Sequence, residues 1–431
     1  MPARRPVSLV VPEGKPYTQP RSGTCMDQEA ELVPTTAARS VALGLAVLNA
    51  GWLLAACSPT PAGITSSAKP TSNASTTPTS NASPTSGKPP APSLNVTPLP
   101  AGTFSVSSVT FVSPEEGWVL GGQHCNGSFL CLGLMRTEND GKTWTSVTPP
   151  PTHLNYIEQT SGGVSQVRFA NSQDGWAFDP ELWTTHNGGA TWSQIVLPGV
   201  SADAIVASLE TADGVVQAAV LNQASTVQIE TSPVGADDWR VSPTTVEFGA
   251  GPAPMPQLVL QGSLGWLLED DRTVIGGARL INGQWVAWQP PCLNVNGPAL
   301  LDASSAQYLV AVCDQGEWGP ASPAGVHAYV STDGGVSFGL PTTSVPSYGS
   351  LASPTPGVLV LAGGAGLLAT FDGGATWTTV CTAPIDTWVQ YIGFETSTQG
   401  VAIAMNSAGV IPIGSLLMTF DGGHDWSPVT L

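Results

Sequence analysis

The chain has 431 residues, and 31 Asp and Glu against 13 Lys and Arg give it a formal net charge of −18. From residue 101 onward its cations are Arg136, Lys142, Arg168, Arg240, Arg272 and Arg279, set against 27 acidic residues. Such a surface repels phosphate backbones and anionic head groups, which excludes nucleic acid as a partner.

In chain order, the first element is an apolar run from Val41 to Ala56, preceded by Arg39 and ending in Leu54-Ala55-Ala56-Cys57. It is shorter than the roughly 20 residues of a spanning helix and suits the hydrophobic region of a signal peptide. The run resembles a bacterial lipoprotein signal with its lipobox, which implies cleavage before Cys57, lipidation of that cysteine, and a place on the outer face of the cytoplasmic membrane or the cell surface. About forty residues precede the run and include Asp27, Glu29 and Glu31, so Met26 is an alternative start. From Ser58 to Pro100 the chain is mainly Ser, Thr, Pro and Ala, and Pro-Thr-Ser-Asn-Ala-Ser occurs from both Pro70 and Pro78. That composition cannot bury a core and predicts a disordered tether, with an end-to-end distance of roughly 35–40 Å if flexible. The expected organisation is a leader (1–56), a lipidated Cys57 with its linker (57–100) and one folded domain (101–431).

The folded part is dominated by an eight-residue signature that ends on an aromatic ring. It occurs at Thr137–Trp144, Thr185–Trp192, Ser331–Phe338, Thr370–Trp377 and Thr419–Trp426. In each copy a short polar residue (Asn139, Asn187, Asp333, Asp372, Asp421) precedes glycine positions that accept positive φ, which is the chemistry of a tight hairpin turn. The Thr or Ser and aromatic that follow (Trp144, Trp192, Phe338, Trp377, Trp426) resume strand alternation, so the ring falls on one buried face. Two degenerate units, Thr231 to Trp239 and Asn282 to Trp285, fill the long gap. Terminal aromatics then recur near the roughly 40–45 residues of a four-stranded blade, and the arithmetic gives seven blades. Gly117-Trp118, Gly175-Trp176, Gly265-Trp266, Gly357-Val358 and Gly400-Val401 mark the turn into each second strand. The predicted fold is all-β, a seven-bladed β-propeller.

These units resemble the Asp-box, the bacterial neuraminidase repeat, which ties the turn between the third and fourth strands of a propeller blade. Residues 101–431 as a whole resemble the photosystem II stability and assembly factor family, through the Gly-Trp and Asp-Gly-Gly-x-Thr-Trp rhythm. That resemblance implies a non-enzymatic scaffold. The arginine-rich partner patch of the photosynthetic members has no counterpart here.

Connections between first and second and between third and fourth strands share one face, so the repeat turns lie opposite the loops that join second to third strands. Those loops carry Asp179 and Glu181, Glu269, Asp270 and Asp271, and Asp314 with Glu317 and Trp318, beside linkers bearing His153, Tyr156 and Trp388. They form the candidate binding surface, for a cationic peptide segment, a sugar or a calcium ion. No catalytic or metal-ligating residue is assigned, since each signature Asp is committed to its turn, and His186 and His424, at variable turn positions, read as exposed and inert. A sialidase needs three arginines around a substrate carboxylate and a Tyr–Glu pair; Arg168 is the one arginine expected to point inward. A xyloglucan-cutting enzyme of the Asp-box class normally requires two propellers, and the chain has room for one. A polysaccharide-binding lectin would present Trp183, Trp318 and Trp388. Cys125 with Cys131, and Cys292 with Cys313, lie where disulfides could form in an oxidising compartment, with Cys381 left over and the pairing open.

Overall fold

The computed structural model describes residues 104–125, 128–155, 162–222, 226–242, 255–270, 274–293, 299–314, 325–340, 345, 349–363, 366–384, 386–406 and 413–431. The leader, Cys57 and the tether, as well as Tyr156, Asp271, Arg272, Glu317 and Trp318, fall outside them, as do the side chains of Cys125 and Asp270. Among the described residues there is no α-helix and no helix long and apolar enough to cross a membrane.

Seven antiparallel sheets follow one another along the chain, each in simple sequential order. Blade 1 is β1 (Phe104–Phe111), β2 (Gly117–Cys125), β3 (Ser128–Thr137) and β4 (Thr145–Val147). Blade 2 is β5 (Gln166–Phe169), β6 (Asp174–Phe178), β7 (Leu182–His186) and β8 (Ser193–Gln194). Blade 3 is β9 (Ile205–Ala212), β10 (Val215–Leu221), β11 (Val227–Pro233) and β12 (Arg240–Val241). Blade 4 is β13 (Met255–Gln261), β14 (Leu264–Asp270), β15 (Val274–Ile281) and β16 (Gln284–Ala287). Blade 5 has β17 (Ala299–Ala303), β18 (Leu309–Asp314) and β19 (Val326–Ser331). Blade 6 is β20 (Leu351–Thr355), β21 (Val358–Gly363), β22 (Gly366–Thr370) and β23 (Thr378–Thr382). Blade 7 is β24 (Thr387–Phe394), β25 (Gly400–Asn406), β26 (Ile413–Thr419) and β27 (Ser427–Pro428). In blade 5, Gly339 N donates to Val330 O at 2.8 Å where a fourth strand would pair.

Second strands read as continuous apolar runs because each sheet is covered on both faces by its neighbours. Val310, Ala311, Val312 and Cys313 in β18 are wholly buried, as are Val360, Leu361 and Ala362 in β21. Four of the signatures fall on a third-to-fourth strand connection, the Ser331–Phe338 copy follows the third strand of blade 5, and the two degenerate units fall on the β11–β12 and β15–β16 turns. In each of the five full turns the leading Thr or Ser hydroxyl accepts from the N–H of Gly141, Gly189, Gly335, Gly374 or Gly423 and donates to the side-chain Oδ1 of the Asp or Asn. That oxygen in turn accepts the N–H of the later Thr, Ser or Asp at 2.8–3.0 Å. The same turns bond to the first-to-second strand turn of their own blade, as in Gly188 N to Gln173 O and Gly422 N to Thr398 O, both 2.9 Å. Both sets of turns therefore share one face.

The Gly-large signal has a steric cause. Gly117, Gly175 and Gly400 sit opposite Phe111, Phe169 and Phe394 in register. Each ring lies across its glycine, so an added Cβ would stand 2.7, 2.4 and 2.7 Å from ring carbons. The same rings meet Trp144, Trp192 and Trp426 edge-on at 6.1, 6.3 and 5.9 Å. Blade 4 does this with Leu260 over Gly265. The tryptophan after the glycine then reaches the next blade: Trp118 stacks on Phe169 at 3.8 Å, and Trp266 Nε1 donates to Gly334 O at 3.0 Å.

The ring closes by packing between blades 7 and 1. Val401, Ile403, Leu416 and Met418 share one cluster with Val106, Val109 and Phe111. Gln399 Nε2 donates to Pro114 O at 2.8 Å, and Gly414 N to Ser105 Oγ at 3.0 Å. Cys292, after blade 4, is disulfide-bonded to Cys313 in blade 5, with Cα atoms 5.4 Å apart. Cys131 is also disulfide-bonded, and Cys381 is a buried free thiol.

Candidate functional site: the central channel and a groove between blades 2 and 3

The first strands of the blades surround the axis and enclose a cavity of about 720 Å³. Side chains on these strands tie one blade to the next. Ser108 Oγ accepts from Val167 N, Gln261 Nε2 donates to Ala303 O, Asp302 accepts from Ser353 N and Ser350 Oγ accepts from Ile392 N. Between blades 2 and 3 the tie is an ion pair, Arg168 to Glu210. Tyr391, on the first strand of blade 7, hydrogen-bonds the same guanidinium, and Glu395 lies within its field.

Burial of these groups acts on their protonation. It works against the Arg168 charge, but Glu210 and Tyr391 outweigh it and keep the guanidinium protonated. Burial pushes the Glu210 carboxyl upward while Arg168 pulls it back, and it pushes the Tyr391 hydroxyl up as well. Burial brings Asp302 up to about 6 against the bonds from Ser353 and Ala303 N–H. Glu395 is also pushed up by the channel walls, against the pull of Arg168, but its side chain stands open at the mouth, so water there limits the rise. The channel thus holds one arginine and three acidic groups, all near the ends of first strands that lead into the repeat-turn face.

The sialidase constellation is not assembled among the described residues. Arg168 is the one arginine on the cavity wall. Arg136 pairs with Glu116 and Glu138 and lies 5.2 Å from the Trp118 ring centroid, on the repeat-turn side. Arg240 pairs with Asp238 at 2.5 Å, and Arg279 lies beside the Asp333 turn.

The acidic residues singled out in the sequence take different places. Asp179 and Glu181 occupy the β6–β7 loop, Glu269 and Asp270 the end of β14, and Asp314 the end of β18, all opposite the repeat turns. Asp179 accepts from Ser165 Oγ, and burial raises its carboxyl. Burial pushes Glu181 up too, but bonds from Gly163, Trp183 and Thr152 prevail and hold it low. Glu269 is fully buried, so it is not part of an exposed rim. Trp388 is 37% exposed on β24, and Trp183 is bonded to Glu181 through Nε1 at 2.7 Å. Among the described residues no group of three or more His, Cys, Asp or Glu side chains is placed to hold a metal ion.

Two features escaped the sequence reading. His186 is not an idle turn residue: its ring nitrogens lie 2.7 Å from Asp174 and 2.9 Å from Asp237, across the boundary of blades 2 and 3. Beside Asp179 and Glu181 a groove of about 750 Å³ opens between the same two blades. One of its walls is the β6–β7 loop and the other is the segment joining β8 to β9, which carries no repeat signal.

No protein-family model matches the chain, and no curated protein does. Solved structures do share its fold. A YCF48 structure bound to D1 peptide aligns with a TM-score of 0.50 at 20% identity, covering 77% of this chain and 99% of that one. YCF48 from Cyanidioschyzon merolae gives 0.49 at 14%, covering 75% and 97%. A puromycin-hydrolyzing peptidase of Mycobacterium tuberculosis gives 0.51 at 14%, covering 77% of this chain and 53% of the peptidase. At these identities the shared property is the propeller fold, which hosts unrelated activities.

Proposed function

We propose that this chain is an extracytoplasmic lipoprotein, anchored through Cys57, whose propeller is a non-enzymatic binding or assembly scaffold for a protein partner. One observation carries the non-enzymatic reading: polar groups of the channel are spent on joining blades, with Arg168 on Glu210 and Asp302 on Ser353 N. A catalytic acid or clamp must be free to meet a substrate. The Cys292–Cys313 bridge fits an oxidising compartment, and the YCF48 propeller bound to D1 peptide is a precedent for a protein ligand on this fold. The partner would meet the acidic loops opposite the repeat turns.

A glycosidase is the second reading, favoured by the Asp302 carboxyl at about 6, the range of a general acid at neutral pH. The two are separated by incubating the full chain with sialosides, xyloglucan and cell-wall polysaccharide, with and without calcium, while mass spectrometry follows Cys57. The scaffold reading expects diacylated Cys57 and no turnover. Turnover abolished by Asp302→Asn would replace it with the enzyme, and saturable glycan binding lost in Trp388→Ala would replace it with a lectin.

A further inference from the structure

We infer that the groove between blades 2 and 3 docks an extended segment of a partner protein in which aliphatic side chains flank a lysine or arginine. The inference rests on the scaffold reading and names the chemistry of its ligand. The groove lies on the face opposite the repeat turns, between the β6–β7 loop and the chain joining β8 to β9. Its base is core: Leu182, Leu197 and Val206 are at most 6% exposed. Its rim is not, since Val196 is 89% and Ile205 39% exposed. Single exposed aliphatics are ordinary, but these two line the same cavity of about 750 Å³ above a floor of buried aliphatic side chains, so an occupant of the groove would cover both.

Charge selects the occupant. The described lining carries three carboxylates, Asp179, Glu181 and Asp203, and no Lys, Arg or His; His153 lies outside the lining but close enough to act on Glu181. Glu181 is already oriented by Thr152 Oγ1 at 2.9 Å and Trp183 Nε1 at 2.7 Å, so it presents a fixed anion at the edge of the apolar floor. Aliphatic walls with a fixed anion at one end match a peptide with small apolar side chains and one cation. The described lining has no aromatic ring for a sugar to stack on. An anionic lipid head group is repelled, and so is a second copy of a chain whose net charge is −18.

The test is fluorescence anisotropy with the full chain and three labelled probes: Val-Leu-Lys-Val-Leu, the same peptide with Glu for Lys, and one with Ser for every aliphatic. The proposal expects saturable binding of the first probe and at least tenfold weaker binding of the other two. It also expects at least a tenfold loss for the first probe with Val196→Asp, which introduces a charge at an exposed position and leaves circular dichroism and Tm unchanged, and no loss with Glu395→Gln in the channel. Equal binding of the Lys and Glu probes overturns the proposal, as does no binding at millimolar peptide. A loss with Glu395→Gln but none with Val196→Asp overturns the groove and leaves a scaffold that binds through its channel. Glycan turnover without peptide binding overturns the scaffold reading along with it.

Discussion

His186 makes the boundary between blades 2 and 3 sensitive to pH in a direction that the geometry dictates. Nδ1 lies 2.7 Å from Asp174 Oδ1 and Nε2 lies 2.9 Å from Asp237 Oδ2. A neutral imidazole has a single N–H, so one carboxylate would then face a lone pair; both contacts are attractive only when the ring is protonated. Partial burial opposes the charged ring, but the bonds to Asp174 and Asp237 and their charges outweigh it and raise its pKa above 6.5. A raised folded value means the stabilisation is fully present below the unfolded value near 6.5 and is lost as pH climbs through the folded one. The His186 side chain is 40% exposed, so solvent screening reduces the two pairs to about 1 kcal/mol together. For a domain of this size that corresponds to a Tm difference of about 2 °C.

The perturbation is His186→Gln, which keeps one donor and removes the charge. Thermal unfolding of the full chain and the variant at intervals from pH 5.5 to 9 should show a gap of about 2 °C at the acid end that closes toward pH 9. Raising the salt should shrink the gap at the acid end, since the pairs are partly exposed. Asn171 Nδ2 donates to the second oxygen of Asp174 at 2.9 Å, which helps to fix that carboxylate opposite the ring. A gap independent of pH, or one that widens toward pH 9, would refute the two-carboxylate account.

Other substitutions probe the fold. Gly175→Ala places a Cβ 2.4 Å from Phe169, whose ring is pinned against Trp118 at 3.8 Å; a loss of about 1–3 kcal/mol in urea denaturation is expected, and an unchanged midpoint would contradict the packing. Cys313→Ala opens a loop with a sequence separation of 21 and should cost about 3 kcal/mol on loop-entropy grounds, with reductant destabilising the native chain more than the variant, which keeps the disulfide at Cys131. Asp372→Ala should lower Tm more than Asp372→Asn, because Asn139 and Asn187 accept the same backbone N–H at 2.9 Å in their own turns. Bonds from Thr376 hold the Asp372 carboxyl down to about 2, so its contribution is present above about pH 4 and lost as pH falls toward 2, where the Asn variant should show no change.

The turn face was legible in the sequence because each of its turns solves one local problem with the same few residues. Thr, Asp or Asn, and glycine at fixed offsets announce the third-to-fourth strand connection, and the glycine beneath Phe111, Phe169 or Phe394 announces the second strand. Even the degenerate blades kept enough of this, with Asn282 and Gly283 at positive φ of 51° and 75°. The channel was not legible. Arg168 was recognisable as inward from its strand, but Glu210, Asp302 and Tyr391 are each one residue on a different first strand, and only the closed ring brings them together. His186 misled for a related reason: its partners lie 12 and 51 residues away, and no local pattern joins a turn histidine to an Asp in the next blade.

The seven blades supply their own internal comparison, and it separates what the fold demands from what it leaves open. The five full repeat turns share one hydrogen-bond pattern, and blades 1, 2 and 7 share the ring laid across a glycine, so substitution at these positions is read as stability. Where the blades differ, each solves a separate problem. Adjoining first strands are tied by serine, glutamine, aspartate or an Arg–Glu pair, so channel charge arises blade by blade rather than from the repeat. The segment from Ile195 to Ala204 has no repeat signal, yet it builds one wall of the groove and exposes Val196 beside the fixed carboxylate of Glu181. Val196 adds nothing to blade packing, and it lines the groove inferred above to dock a partner segment. That places specificity in the connections between blades, with the repeat serving to hold them still.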